Sequence, residues 1–389
     1  MLPVSKMHRF KVSAPAKVIL FGEHAVVYEK FALAASLDQR VMLEFTEVPD
    51  EPAERMVEIS LPKVDLCLSV PLQKIKDFFF SFSFDYRSGD HNLLYDKVRQ
   101  FVATIDRATT SRQTLSLEVF FYALVLVSYE EQVVLKPFRI HLDTCLSINS
   151  GLGSSASFSV CLATCFYQWS RLQKGIVGTG LGTFDLTQIS QYAQNCEKIM
   201  HNNPSGLDTS ICTFGSIVKF QKGSLMEPMA EVPSLRILLV DTRIERSTKA
   251  LVQMIAELKS KYPAIVNPLL FSIDGISHAA LQVIEAIHHL SGESLLLKYK
   301  ELVFLINMNQ NLLSTLGVSH PSLDRICDEA RKRGLGAKLT GAGGGGHAYI
   351  LIPPDTAQET ISSISQKLTA EGFKVTMTQI GCSGVKIDE

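Results

Sequence analysis

At 389 residues the chain is long enough for two domains of ordinary size, and 46% hydrophobic with 20% charged residues is a normal globular balance. Lysine and arginine number 38 against 39 aspartates and glutamates, so no net charge draws the chain to nucleic acid or to a membrane surface. The eight cysteines form no C-x-x-C pair and no zinc-ligand spacing, and several lie in apolar runs where a thiol acts as a small hydrophobe. A reduced compartment is expected, cytoplasmic with a peroxisomal address left open.

Residues 1–10 carry no apolar core of signal-peptide length, and the run 119–127 is too short to cross a bilayer, so a soluble protein is expected. Residues 8–13 read as a first strand that Pro15 breaks, with a sharp turn at Gly22 and Lys17, Glu23 and His24 nearby. Residues 31–48 alternate as a second strand, with 56–61 as its partner. The stretch 78–114 gives no clear period. Residues 115–132 read as a buried helix and 138–146 as a half-buried strand. Ala156, Val160, Ala163 and Phe166 recur at helical spacing from Ser155 onward. Leu186, Ile189, Ala193, Cys196 and Met200 form the apolar stripe of a helix over 185–200, with Glu197 at its flank. A loop follows at 201–208, then a strand at 214–220.

The pattern restarts after glycine and proline signals between 223 and 233. A strand at 235–240 leads to helices near 247–260, 276–291, 294–316 and 322–333, the last closed by Gly334. Strands at 337–340 and 347–352 are joined by glycines, and a helix to about 371 and a strand at 374–380 complete the chain. Strands and helices alternate without regular βαβ repeats. The expected class is α+β in two domains, 1–230 and 231–389.

The chemistry concentrates at 150–157, read as SGLGSSAS. Two glycines between a strand and a helix let the backbone turn tightly, and the first helix amides point outward without partners. Such a junction binds phosphate. It also reads as a glycine turn with Ser154 or Ser155 as an ordinary N-cap, and taken alone the two readings balance. A dinucleotide site is disfavoured, because 173–178 offers no acidic residue where a ribose would need one. The second cluster, GAGGGG at 341–346, precedes a strand rather than a helix, which again argues against a dinucleotide site. Five glycines are more than a hairpin requires, which favours close backbone approach to an anion. No G-x-x-x-x-G-K-[ST] and no H-E-x-x-H occurs.

The segments 15–24 (PAKVILFGEH), 151–156 (GLGSSA) and 338–346 (KLTGAGGGG) together resemble the three ordered motifs of the GHMP kinases. Within that superfamily, those residues, 201–208 (HNNPSGLD) and 306–310 (INMNQ) are most similar to the animal mevalonate kinases. The resemblance runs from about 10 to 385 and is weakest over 48–135. It implies an N-terminal domain like ribosomal protein S5 domain 2, a ferredoxin-like C-terminal domain, and ATP-dependent phosphorylation of the C5 hydroxyl of (R)-mevalonate for isoprenoid and sterol synthesis.

Carried over by residue, the resemblance makes Asp208 the base and Lys17 its charged partner, with Mg²⁺ held by Ser155 and Glu197. Lys17, Ser150, Gly151, Leu152, Gly153, Ser154, Ser155, Ala156, Ser157, Gly343 and Gly344 would cradle ATP. Glu23, His24, Asp208 and Thr248 would lie near the substrate. It also implies a homodimer and isoprenoid diphosphates competing at the ATP site. Ala16, 148–150 and Asn202 depart from the family's glycine- and proline-rich pattern. Two other readings stay open: a sibling kinase acting on phosphomevalonate or another small alcohol, and a catalytically inactive sensor of the same fold.

Overall fold

The computed structural model describes residues 7–388 apart from 50–54, 82–88, 106–109, 145, 147–150, 202–203, 222–225, 230 and 246. The first strand, β1 (Arg9–Phe21), pairs antiparallel with β2 (Phe31–Glu47) along its whole length. It runs straight through Pro15. The register slips between Pro15 and Ala16, where Pro15 faces Arg40 and Ala16 faces Leu37. A bulge is one of the few places a strand accepts a residue without N–H, so the expected break becomes a bend. Ala16 is fully buried at that bend.

A hairpin of β3 (Met56–Leu61) and β4 (Leu66–Pro71) extends the sheet through β5 (Phe138–Thr144), which lies parallel to β3 and antiparallel to β2. Helix α1 (Leu72–Phe79) ends just inside the start of the unreadable stretch, and 91–102 within it folds as α2 (His91–Val102). Next, α3 (Ser111–Glu130) starts with a capping box between Thr110 and Gln113. It is apolar all round from Val119 to Val127 and is buried to match, packed on α2 and on α4 (Ser154–Gln173). Two more helices follow, α5 (Thr183–Met200) and α6 (Leu207–Phe214). Strand β6 (Ile217–Gln221) pairs β2, and β7 (Glu227–Pro228) pairs β6, so the strand expected from 214 starts three residues later, after α6.

The other half of the same 12-stranded sheet is built from β8 (Leu235–Asp241), β9 (Ala337–Leu339), β10 (His347–Ile352) and β11 (Lys374–Ile380). Between β8 and β9 lie α7 (Thr248–Lys261), α8 (Pro263–His289), α9 (Gly292–Thr315) and α10 (Pro321–Arg331), and α11 (Gln358–Ala370) joins β10 to β11. The spatial order β11-β8-β10-β9, antiparallel throughout, is that of a ferredoxin-like unit. Both faces of this sheet are covered. Leu235, Ile237 and Leu239 enter one core while Leu238 and Val240 enter another, which is why β8 reads as an unbroken apolar run.

The helix expected at 276–291 begins at Pro263 instead. Pro263 occupies the first helical turn, where no N–H is needed, and Pro268 removes one bond soon after. Among the described residues α8 is the one helix long and apolar enough to cross a bilayer, exceeding the run at 119–127, and it packs along α9 and β2.

The two halves of the sheet join through a single β2–β11 pair, Leu37 with Ile380. A second tie is larger. Strand β12 (Lys386–Asp388) returns to pair with Lys11, Val12 and Ser13 of β1. Arg40 fixes this return, donating to the carbonyls of Ser383 and Gly384 and to both oxygens of Ser13.

Candidate active site

A cleft of about 820 Å³ opens where β1, the start of α4, the end of α5, α6, the start of α7 and the loop after β9 meet. Lys17, Glu23, His24, Gly151, Gly153, Ser154, Ser155, Glu197, Asp208 and Thr248 all line it. Residues 150 and 202 lie outside the described residues.

Helix α4 begins on Gly153, whose φ of 71° is left-handed, and no side chain caps it. Ser154 and Ser155 are the first helical residues rather than caps, so the capped-turn reading of this loop is not what forms. The free first-turn amides lie at the cleft wall, at the positive end of a helix of 20 residues. Leu152, Ala156 and Ser157 turn inward instead. The Ser157 hydroxyl donates to the Pro15 carbonyl at 2.7 Å, and the Lys17 amide donates to the Leu152 carbonyl at 2.9 Å. These bonds lock the loop against β1.

Lys17 extends from β1 under that loop, and its Nζ stands 3.0 Å from Oδ1 of Asp208. Asp208 lies in the first turn of α6, after Gly206 in a left-handed conformation, and keeps 35% of its side chain exposed against 9% for Lys17. The pair is held by protein on one side and reachable from the cleft on the other. Glu197, one turn from the end of α5, is 3% exposed, and its Oε1 has no hydrogen-bond partner. Burial, with the neighbouring Asp208 charge, pushes its pKa up to about 7, opposed by the Ser155 hydroxyl and Lys17. Ser155 Oγ also lies 3.3 Å from His201 Nε2.

Two carboxylates beside one lysine leave negative charge uncompensated, and Glu197 Oε1 is a buried acceptor awaiting a partner. One carboxylate and one hydroxyl beside a phosphate site form the sparse oxygen set that Mg²⁺ accepts. The residues fit the ion.

On the opposite wall Glu23 and Lys338 form an ion pair in which both side chains are fully buried. Lys338 opens the 338–346 motif, but sequence reading assigns it no site role. His24, at φ 60°, sets its Nε2 2.8 Å from the Ala342 carbonyl. Thr340 and Ile19 exchange hydrogen bonds of 2.9 and 3.0 Å. The second glycine loop therefore meets the cleft at Gly341 and Ala342. Gly343 and Gly344 do not line it; they abut Val318 and Leu251. Thr248, exposed at the start of α7, lies at the rim.

Comparison with known proteins agrees with this geometry. The GHMP kinases N terminal domain family matches residues 119–216, and the GHMP kinases C terminal family matches 297–370. The mevalonate kinase of Mus musculus is 36% identical over 96% of this chain and 94% of its own length. Among solved structures, the Methanococcus jannaschii mevalonate kinase superposes with a TM-score of 0.70 at 23% identity, covering 97% of this chain and 99% of its own. The L. major mevalonate kinase in complex with R-mevalonate superposes at 0.67 and 21% identity, covering 98% and 99%. With more than a third of its residues shared along nearly its full length, the chain belongs to the mevalonate kinase family of the GHMP kinases.

Proposed function

We propose that the chain transfers the γ-phosphoryl group of ATP to the C5 hydroxyl of (R)-mevalonate, releasing ADP and 5-phosphomevalonate. The observation that carries this reading is the Lys17–Asp208 contact, which faces Glu197 and the open first turn of α4 across one cleft. Phosphoryl transfer asks chiefly for positioning and for charge neutralisation on the phosphate oxygens. Asp208 orients the C5 hydroxyl and takes its proton as the oxygen–phosphorus bond forms and the bond to ADP breaks. Lys17, with its Nζ 3.0 Å from Asp208, stabilises the oxygen as it gains charge. The amides of Ser154, Ser155 and Ala156 receive the phosphates, and Ser155 and Glu197 hold Mg²⁺. Bound there, Mg²⁺ draws charge from the phosphate oxygens. Glu23, His24 and Thr248 bound the substrate end of the cleft. Gly343 and Gly344 contribute by shaping the loop that carries Gly341 and Ala342.

Following ADP release with mevalonate, phosphomevalonate, galactose and homoserine in parallel tests the reading. Turnover with mevalonate alone is expected. Preference for phosphomevalonate would make the chain a sibling kinase, and ATP binding without any turnover would make it a sensor.

The reading extends to assembly and regulation. Helices α8 and α9 leave Ile265, Phe271, Leu297 and Phe304 exposed, which supports a homodimer, and light scattering in solution tests it. Val26, Leu61, Val64, Leu115, Phe158 and Met200 line the cleft beside the α4 amides, which supports an isoprenoid diphosphate inhibitor. Inhibition competitive with ATP is the expected pattern. The seven described cysteines are unpaired, in keeping with a cytoplasmic setting. The same reading divides the chain near residue 230, with 1–230 holding nucleotide and 231–389 closing the cleft. First cleavage there in limited proteolysis is expected.

A further inference from the structure

Helix α8 ends beside the crossing from β7 to β8. Its last turn carries His288 and His289, and Glu231 lies opposite them on the crossing. Both sides are held in place. On the crossing, the Met229 amide donates to the Ile217 carbonyl at 2.8 Å, and the Val232 side chain abuts Gly381. On the helix, Glu285 meets Lys219 of β6 at 3.1 Å, one turn before His289. Glu231 Oε2 stands 3.3 Å from His288 Nε2 and 3.7 Å from His289 Nε2, and the two rings meet edge to face with centres 5.0 Å apart. Among the described residues this is the one place where three His, Cys, Asp or Glu side chains each bring a donor atom within 4.8 Å of the others. As exposed ion pairs these contacts would contribute little, so stability alone does not explain their convergence.

We propose that Glu231, His288 and His289 form a binding site for a divalent transition metal of the zinc class, separate from the phosphate cleft. Zinc bonds to nitrogen and oxygen of about 2.0–2.2 Å set tetrahedral donors about 3.3–3.6 Å apart. The two separations from Glu231 lie at that spacing, and the His289 side chain, 68% exposed, has room to turn onto the ion. Two imidazoles and one carboxylate suit zinc, whereas Mg²⁺ and Ca²⁺ take oxygen ligands. The ion would also sit at the negative end of the 27-residue α8. Three protein ligands leave a fourth position to water. None of the three residues lines the cleft, so the ion takes no part in the chemistry there. Its effect is to pin the end of α8 to the crossing between the two halves of the chain.

The test uses the untagged full chain, stripped with chelator and dialysed, in excess Mg²⁺ so that the cleft does not take up the probe. Calorimetric titration with ZnCl₂ is expected to show one equivalent bound with a Kd of about 10 μM or tighter, and about 100 μM Zn²⁺ to raise the melting temperature by about 2 °C. Glu231→Gln, His288→Ala and His289→Ala are each expected to weaken that binding about tenfold or more. Co²⁺ in place of zinc is expected to give the visible absorption of a tetrahedral ion without a thiolate charge-transfer band. All three side chains are at the surface, and melting in chelator is the fold control. Where one variant fails to fold, the other two carry the test. Zinc binding of equal strength in the parent and the folded variants would overturn the proposal, as would a thiolate band with Co²⁺ or no uptake at about 100 μM Zn²⁺. None of these readouts involves ATP or an acceptor, so the proposal stands or falls apart from the kinase reading.

Discussion

At the first glycine loop, a Cβ on Gly153 would stand 2.8 Å from Cγ of Lys17 and 3.8 Å from Oδ2 of Asp208. At the second, a Cβ on Gly343 would stand 2.0 Å from the Val318 carbonyl oxygen, and one on Gly345 would stand 2.8 Å from Ile244. Both loops need glycine, for different reasons. The first lacks side chains so that a lysine can pass beneath it to the reacting centre. The second lacks them so that the chain can fold against itself and hold Gly341 and Ala342 at the cleft. A glycine-rich sequence is thus a statement about space, and only the neighbours tell whose space it is.

The comparison can be broken most directly at the group the first loop serves. Asp208→Asn should lower turnover about a thousandfold or more while leaving ATP binding nearly unchanged by nucleotide titration. Near-normal turnover would detach the loop from chemistry. The glycines themselves should then part company. Gly153→Ala pushes Lys17 off Asp208 and should cost about a hundredfold in turnover with modest change in melting. Gly343→Ala forces backbone apart and should cost more than about 3 kcal/mol of stability, with specific activity of the folded fraction largely kept. Equal losses of stability at both sites would erase the distinction.

The smallest effect sharpens the comparison by sign. Glu197 has its pKa raised by burial from an ordinary 4.5 to about 7, so its ionised form costs stability that accumulates as pH rises through that window. Glu197→Gln should therefore melt higher than the parent at pH 8 without Mg²⁺, with the gain shrinking as pH falls towards 4.5. The same variant should weaken Mg²⁺ binding about tenfold or more. In the parent, protons compete with the ion, so Mg²⁺ affinity should climb between pH 6 and 8, about the raised value near 7. A variant no more stable than the parent at pH 8 would refute the idea that this wall is built at a cost to the fold.

Much of the site was legible because its chemistry sits in short linear segments. Lys17, Ser155, Glu197 and Asp208 lie on four elements, and each carried a local signal: a turn, a helix start, an apolar stripe, a loop rich in proline and glycine. Lys338 stood in the 338–346 motif without a role, since its partner is a carboxylate far away in sequence. The second glycine loop was readable as tight but not as self-packed, because Val318 and Leu251 are brought to it only by the folded helices. Of the fold, long periodic elements were clear. Proline misled at the β1 bulge, where the register shift absorbs it, and the first turns of α8, from Pro263, were not read as helix. Helices α1 and α2 were missed although Leu72, Ile75 and Phe79, and Leu94, Val98, Phe101 and Val102, fall at helical spacing; each stripe is short and lies beside polar stretches that blur it.

The return of β12 to β1 ties the timetable of synthesis to the site. Residues 9–21 are made early, yet the β1 edge opposite β2 acquires its partner only when residues 386–388 emerge. At ordinary elongation rates that interval is roughly 20 to 70 s. During it the strand that carries Lys17 offers a bare edge to other nascent chains. Lys17 thus spends its first seconds on a strand whose outer edge at Lys11, Val12 and Ser13 is still unpaired.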